Sequence, residues 1–211
     1  MRYVIEPHRQ GDIVLSQGRI RPIYQEVLNV IDSISEDDII TLHQKKHLKA
    51  KSLSYAINDL LKRGLKEKGW LAEAPIFQDK DYTDKRWRLD FAKAPISIEV
   101  GFNHGEAIAW NLLKPVLASG LNHVDKAIQT EAGILITVTA AMKKAGNFDG
   151  AVGEFEKVKR YLTPLWNVLD VPMVVIGLEA PETFTLRDTK VGSKSIGAIV
   201  RKTAASKKKR L

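Results

Sequence analysis

The chain of 211 residues contains no cysteine. This absence excludes disulfides, thiolate metal sites and cysteine nucleophiles, and it favours a reducing cytoplasm as the location. The sequence also lacks any run of about 18 apolar residues, the length that a membrane-spanning helix needs. The N-terminal segment MRYVIEPHRQG has no apolar stretch of the signal-peptide type. We therefore expect an intracellular protein with a single core and one domain over residues 1–200.

Positive charge is concentrated at one end of the chain. Residues 201–211 contain six basic residues and no acid, so they leave only +2 of the formal net charge of +8 for the rest of the chain. A basic tail of this kind is typical of a disordered, solvated end that contacts phosphate without sequence specificity. Within the body, basic residues cluster over residues 43–68, which we predict as a candidate DNA-binding surface. Its candidate residues are Lys45, Lys46 and Lys49.

The N-terminal part, residues 20–69, has the apolar periodicity of helices. Residues 20–34 place aliphatic side chains at helical spacing, with Pro22 in the first turn. Residues 52–68 repeat the pattern, with Ser52 as the predicted N-cap and Gly69 after the last turn. Both helices are predicted to pack against the core.

The periodicity then changes to that of strands. Residues 86–92 and 96–102 are short, extended segments separated by Ala94-Pro95, and together they form a predicted hairpin over residues 86–103. The second segment alternates strictly, so that Glu99 is predicted to point away from the aliphatic face.

The segment from 106 to 178 is typical of an α/β core. Residues 106–119 indicate a helix that contains Pro115. Two apolar runs, 133–139 and 171–178, flank a predicted helix around 151–169, as in a βαβ unit buried on both faces. We therefore predict a mixed α/β fold, with a central sheet flanked by helices on both sides.

Asp90 and Glu99 are candidates for a metal site. A divalent ion that activates water against a phosphodiester needs convergent oxygen ligands, and carboxylates are the preferred ones. The two residues lie nine positions apart across a short connection, on strands that would be neighbours. The alternative is that both are solvated strand carboxylates, since acidic residues at this spacing are common.

A family resemblance favours the metal site. The segment Asp90-Phe91-Ala92-Lys93, followed by Glu99-Val100-Gly101-Phe102, resembles Type II restriction endonucleases related to BglII and BstYI within the PD-(D/E)XK nuclease superfamily. The resemblance extends over roughly residues 53–180, and includes the LKEKGW and VPMVVIGL segments. It implies a restriction-endonuclease-like core and a homodimer that binds double-stranded DNA and cuts both strands of a short palindrome with Mg²⁺.

The resemblance also assigns roles to single residues. It implies that Asp90 and Glu99 bind the metal, with the backbone carbonyl of Val100 as a third ligand. Relatives have a polar residue three positions after the tryptophan that precedes the hairpin, and Glu73 corresponds to it here. A cognate DNA methyltransferase is expected in the same system.

Gly101 departs from the family pattern, which has Gln, Glu or Lys at this position to orient or deprotonate the attacking water. The amide of Asn103 is a candidate replacement, because it lies about 7 Å further along the same face of the strand. Lys93 and His104 are less direct candidates, since each depends on the shape of a turn.

The candidates for base recognition lie in segments with the composition of loops. Their residue types suit contacts to base edges in the major groove, although polar loops are usually only solvated. They are Asn147, Asp149, Arg187, Asp188, Lys190 and Lys194.

Two other functions remain open. A catalytically weakened or silent DNA-binding protein of the same fold would account for Gly101. A nuclease for structured RNA or damaged DNA would cut without a fixed sequence pattern. Phosphoryl transfer depends mostly on metal, positioning and charge stabilisation, so the loss of one water-orienting group favours a slower enzyme over an inactive one.

Overall fold

The computed structural model of the chain describes residues 1–102, 105–120, 123–192 and 194–202. Within those ranges, none of the helices combines the length and apolar character that a membrane span requires. The helices are α1 (Gly11–Leu15), α2 (Arg21–Ser33), α3 (Glu36–Lys46), α4 (Ser54–Glu67), α5 (Ile108–Ser119), α6 (Ala140–Ala145) and α7 (Phe155–Leu162).

A mixed six-stranded sheet forms the centre of the fold. Its order is β1-β6-β5-β4-β3-β2, in which β4, β5 and β6 are parallel and the other neighbours are antiparallel. A separate antiparallel pair, β7 and β8, follows it in the chain. The strands are β1 (Tyr3–His8), β2 (Leu71–Pro75), β3 (Arg88–Lys93), β4 (Ile96–Val100), β5 (Ala132–Val138), β6 (Met173–Leu178), β7 (Phe184–Val191) and β8 (Lys194–Arg201).

Helices cover both faces of this sheet. Strands β5 and β6 are buried along their whole length, as the continuous apolar runs predicted. On one face, Ile98 and Ile134 pack with the apolar sides of α2, α3 and α4. On the other face, Leu135 and Val175 pack with α5 and α7. The predicted mixed α/β fold with helices on both sides is confirmed.

Three local predictions differ from the structure. Helix α4 begins at Ser54 and Leu53 is its N-cap, whereas Ser52 Oγ accepts the N–H of Ser54 at 3.3 Å. The helix predicted around 151–169 extends only over Phe155–Leu162, and Pro164, which has no backbone N–H to donate to the preceding turn, follows its end. The segment around 187–194, predicted as loops, forms the β7–β8 hairpin.

Candidate functional site

The backbone pairing between β3 and β4 ends just before the two acidic residues. The last regular pair is Phe91 with Ile98. Beyond it, the N–H of Asp90 donates to Glu99 Oε1 at 3.2 Å, and the N–H of Val100 donates to Asp90 Oδ2 at 2.7 Å. Each carboxylate therefore satisfies a backbone donor of the opposite strand. The structure brings Asp90 and Glu99 together at this end of the hairpin.

The face of β4 that carries Glu99 is covered by a helix. As predicted from the alternation, Glu99 points away from the cluster that contains Ile98. Helix α5 packs over this second face and leaves Glu99 only 1% exposed. The ammonium of Lys114, on α5, donates to Glu99 Oε2 at 2.7 Å. The alternative interpretation of Glu99 as a solvated strand carboxylate is therefore wrong.

Burial makes the ionised carboxylates unfavourable in the isolated protein. Burial raises the pKa of Glu99, and the nearby charge of Asp90 raises it further, while Lys114 opposes both effects. Burial also raises the pKa of Asp90, against the hydrogen bond from Val100 and the charge of Lys114. One ammonium thus faces two carboxylates that repel each other. A cation bound between the two carboxylates would relieve this repulsion.

The oxygen donors suit a hard divalent ion. Asp90 and Glu99 supply two carboxylates, and the carbonyl of Val100, which accepts a 3.2 Å hydrogen bond from Phe102 N–H, has a second lone pair that suits a ligand. Among the described residues, no group of three or more His, Cys, Asp or Glu side chains could hold a metal. Mg²⁺ commonly binds proteins through one or two carboxylates and keeps several waters. The donor set therefore fits Mg²⁺ better than an ion that needs an all-protein cage.

Glu73 lies beside this pair on the neighbouring strand. Strand β2 pairs with β3 so that Ala72 faces Phe91 and Ala74 faces Leu89, which leaves Glu73 opposite Asp90. The charge of Glu73 contributes to the raised pKa of Asp90. Its backbone has a φ of +53°, which is uncommon for a residue other than glycine. The structure thus places Glu73 at the edge of the site, with an exposed side chain.

Lys93 does not belong to this group of residues, so the prediction that it replaces the missing side chain of Gly101 is wrong. Three positions separate it from Asp90, and alternation along β3 therefore puts it on the opposite face. Its ammonium donates to the carboxylate of Glu26 on α2 at 2.8 Å and to the carbonyl of Lys68 at 2.8 Å. Lys93 instead ties the hairpin to α2 and to the end of α4.

Little space surrounds Gly101, the position that departs from the family pattern. A Cβ atom there would lie 3.3 Å from Asn111 Nδ2 and 3.3 Å from Leu135 Cδ1. A side chain on this residue would therefore press against α5 and β5. The two proposed replacements, Asn103 and His104, lie outside the described residues, and the role of Asn103 stays a prediction.

The basic candidates in residues 43–68 and those of the β7–β8 hairpin belong to one region. The N–H of Gly197 on β8 donates to Ala50 O at 3.0 Å, and the ring Nε2 of the buried His43 lies 2.8 Å from Gly197 O. The hairpin therefore lies against the α3–α4 connection. The exposed candidates on these elements are Lys45, Lys46, Lys49, Arg187, Asp188 and Lys190, whereas the side chain of Lys194 lies outside the described part.

Some of these candidates already have partners within the chain. Lys46 pairs with Asp59 at 2.6 Å. The Asn147 amide donates to Lys51 O at 2.8 Å and to Asp188 Oδ1 at 2.9 Å, so both of its N–H bonds are used internally. Asp149 accepts the N–H of Ala151 within its own turn at 2.8 Å. Asn147 and Asp149 therefore shape the surface, and the exposed lysines and Arg187 are better placed for contact.

Two residues of the site were not predicted from the sequence. Lys114 and Asn111 are buried on the face of α5 that meets the sheet, with 8% and 6% exposure. The available signal was a lysine inside the apolar run LLKPVL, because a lysine in such a position is rarely buried without a partner. Periodicity alone gave no reason to connect it with Glu99.

The fold is similar to that of restriction endonucleases. A crystal structure of the restriction endonuclease BglII complexed with a DNA 16-mer matches with a TM-score of 0.68 and 18% sequence identity, over 96% of this chain and 100% of that one. A crystal structure of free BglII matches with a TM-score of 0.55, at the same identity and coverage. A search of the curated proteins finds no significant match. These matches confirm the predicted restriction-endonuclease-like core.

The family assignment comes from a sequence model that matches most of the chain. The family model described as restriction endonuclease BglII/BglIII matches residues 3–178. This span is wider than the resemblance found over residues 53–180, and it includes all six strands of the central sheet and the carboxylate pair. The chain therefore belongs to the BglII/BglIII restriction endonuclease family.

The raised pKa of Asp90 gives a prediction for stability. Because burial raises this pKa above the ordinary value of 3.8, stability is lost as the pH rises from that value through the pKa of the folded protein. Asp90→Asn removes the charge but can still accept the N–H of Val100. We expect this variant to have a free energy of unfolding about 0.5–2 kcal/mol higher than wild type, measured by urea unfolding in EDTA at neutral pH. The difference should disappear as the sample is acidified.

The exposed Glu67 on α4 offers a control with the same change in net charge. Glu67→Gln should leave the free energy of unfolding within about 0.5 kcal/mol of wild type. A loss of stability in Asp90→Asn at neutral pH would contradict the electrostatic account.

Proposed function

We propose that this chain is a Type II restriction endonuclease that makes Mg²⁺-dependent double-strand cuts at a short palindromic site in DNA. The observation that carries the proposal is the pair of convergent carboxylates, Asp90 and Glu99, within a chain of the BglII/BglIII family. Two-fold symmetry of the site matches a homodimer in which each subunit cuts one strand. Such an enzyme needs a cognate methyltransferase to protect the host's own sites.

Each residue of the site has a separate role in the proposed hydrolysis. Asp90, Glu99 and the Val100 carbonyl would hold Mg²⁺, which supplies water activation and charge stabilisation when bound. The hydrogen bonds between Asp90 and Val100 and between the Asp90 backbone and Glu99 fix both carboxylates before substrate arrives. This preorganisation reduces the reorganisation needed during the reaction. Glu73, at the rim, adds negative charge next to Asp90.

Duplex DNA is the proposed partner. The matched structure of BglII contains a DNA 16-mer, and this chain has a comparable fold over nearly its whole length. The exposed Arg187 and Lys190 on β7, with the lysines at the end of α3, form a basic region suited to phosphate contact. Phosphate contacts of this kind position the protein, and contacts to base edges then select the sequence.

A catalytically weakened DNA-binding protein is the second candidate. Gly101 favours it, since glycine can neither orient nor deprotonate a water. A pure preparation that shifts duplex DNA but leaves it intact in both Mg²⁺ and Mn²⁺ would support this function.

Removal of both carboxylates tests the proposed enzyme. Wild type should linearise a plasmid that contains its site in Mg²⁺, whereas Asp90→Ala with Glu99→Ala should lose at least about 1,000-fold in single-turnover rate, because both metal ligands are absent. Ca²⁺ should raise the melting temperature of wild type but not of this variant. Unchanged plasmid cleavage by the double variant would falsify the assignment.

A matched control removes two exposed carboxylates elsewhere. Asp12→Ala with Glu67→Ala removes the same two negative charges as the site variant, but from solvent-exposed positions on α1 and α4. It should keep both cleavage and the Ca²⁺ shift. If the alanine variant of the site proves unfolded by circular dichroism, Asp90→Asn with Glu99→Gln repeats the test with nearly unchanged shape.

The basic region gives a separate prediction for DNA binding. Arg187→Ala with Lys190→Ala should weaken binding in Ca²⁺ and reduce the slope of log affinity against log salt by about 2, since each phosphate contact contributes about 0.9. The control is Lys159→Ala with Arg160→Ala, on α7 across the central sheet. A fluorescence anisotropy titration at several salt concentrations measures both. Equal losses in the two variants would argue against a specific basic surface.

A further inference from the structure

We propose that Lys114 is a positioning residue for cleavage, which holds Glu99 and supplies from helix α5 the polar group that strand β4 lacks at Gly101. This inference rests on the proposed endonuclease function. The observation behind it is the 2.7 Å ion pair between Lys114 Nζ and Glu99 Oε2, in which the lysine side chain is 10% exposed and the glutamate 1%.

A buried ion pair of this kind needs a reason other than stability. Removing both charges from water costs several kcal/mol per ion, and replacing both members of such a pair by apolar residues of similar volume is often neutral or stabilising. On the same side of α5, the buried Ala118 follows Lys114 by one turn and the buried Asn111 precedes it by one turn. An apolar side chain at position 114 would fit that packing. The lysine is therefore better explained by what it does for Glu99.

The contacts of Glu99 show how Lys114 acts. Lys114 binds Oε2, while Oε1 accepts the N–H of Asp90. The two oxygens thus have different partners, and the side chain is fixed with Oε1 towards Asp90. Rotation of the carboxylate would break both contacts. Lys114 consequently sets the orientation in which Glu99 presents an oxygen beside Asp90.

Gly101 and Lys114 are linked by the position of α5. A Cβ on residue 101 would already lie 3.3 Å from Asn111 Nδ2, one helical turn before Lys114 on the same face. A long side chain on the strand would therefore press on Asn111 and, through it, on α5. With glycine there, the helix lies close enough for Lys114 to reach Glu99. Helix α5 can thus supply a polar group, Lys114, because Gly101 leaves room for the helix beside the strand.

Metal binding and cleavage together separate this role from simple packing. Lys114→Met keeps the length and apolar stem of the side chain but removes the ammonium. In EDTA the variant should melt several degrees below wild type, because Glu99 loses its buried partner. Ca²⁺ should then raise its melting temperature by more than it raises that of wild type, because a second cation replaces the lost charge. A purely structural lysine would leave the Ca²⁺ shift unchanged.

Cleavage provides the second measurement. With saturating Mg²⁺ and DNA, Lys114→Met should lower the single-turnover rate by about 100-fold, the effect of removing one preorganised donor. DNA affinity measured in Ca²⁺ should stay within about threefold, because Lys114 is buried away from solvent. Lys114→Arg, which keeps the charge, should recover part of the rate.

Lys93→Met is the matched control. Lys93 lies in the same hairpin as Glu99 but on its opposite face, and the substitution removes a partly buried ammonium from the ion pair with Glu26 of α2. We expect a lower melting temperature in this variant too, but a wild-type Ca²⁺ shift and a cleavage rate within about threefold of wild type.

The outcomes distinguish this inference from the proposed function. If wild type cuts DNA and Lys114→Met cuts it equally well, the inference about Lys114 is wrong. The same holds if Lys114→Met shows the Ca²⁺ shift of wild type. In both cases the proposed endonuclease function stands. The inference also fails if Lys93→Met reproduces the effects of Lys114→Met. If wild type leaves DNA intact, the proposed function is wrong, and the assignment of Lys114 to cleavage fails with it.

Discussion

The burial of the Glu99 carboxylate is the constraint on which the site depends. A charge with 1% exposure needs partners, and only elements that approach β4 closely can provide them. Lys114 reaches it from α5, and the N–H of Asp90 reaches it from β3. The helix can lie this close because glycines face it: a Cβ on Gly133 would come within 2.6 Å of Pro115, just as one on Gly101 would press on Asn111.

The two faces of the β3–β4 hairpin have different surroundings. One face packs Phe91 and Ile98 against α2 and α4, and on that side the Lys93–Glu26 pair fixes the hairpin to α2. The other face presents Asp90 and Glu99, with a lysine from α5. Both faces thus use a lysine–carboxylate pair. The second lies beside an additional carboxylate, and this surplus of negative charge is the basis of the proposed cation site.

Much of the fold follows from local sequence patterns. Alternation along β4 identified the face that carries Glu99, and the continuous apolar runs identified β5 and β6. Alternation cannot reveal what covers a face, because the covering helix comes from a distant part of the chain and its packing is tertiary. The burial of Glu99 and the role of Lys114 therefore required the structure.

Other differences have local causes. The β7–β8 hairpin was predicted as loops because four consecutive polar residues, 187–190, interrupt β7 and are exposed, whereas Leu186 reaches the core. Such a strand has no strong apolar period to detect. Strand β1 was overlooked for a related reason, since Glu6, Pro7 and His8 interrupt its apolar residues. Its pairing with β6 joins residues more than 160 positions apart, which no local pattern can indicate.

A polar group supplied by a helix has different consequences from one supplied by a strand. A side chain on residue 101 would be carried by the same strand region as Glu99 and would press against α5 and β5. Lys114 instead lies on the face of α5 that packs against the sheet, so its reach depends on the glycines beneath the helix. A side chain at position 101 would press on Asn111, one turn before the lysine on the same helix. In the proposed role of Lys114, the glycine at 101 therefore belongs to the site, because it leaves α5 room to lie close to Glu99.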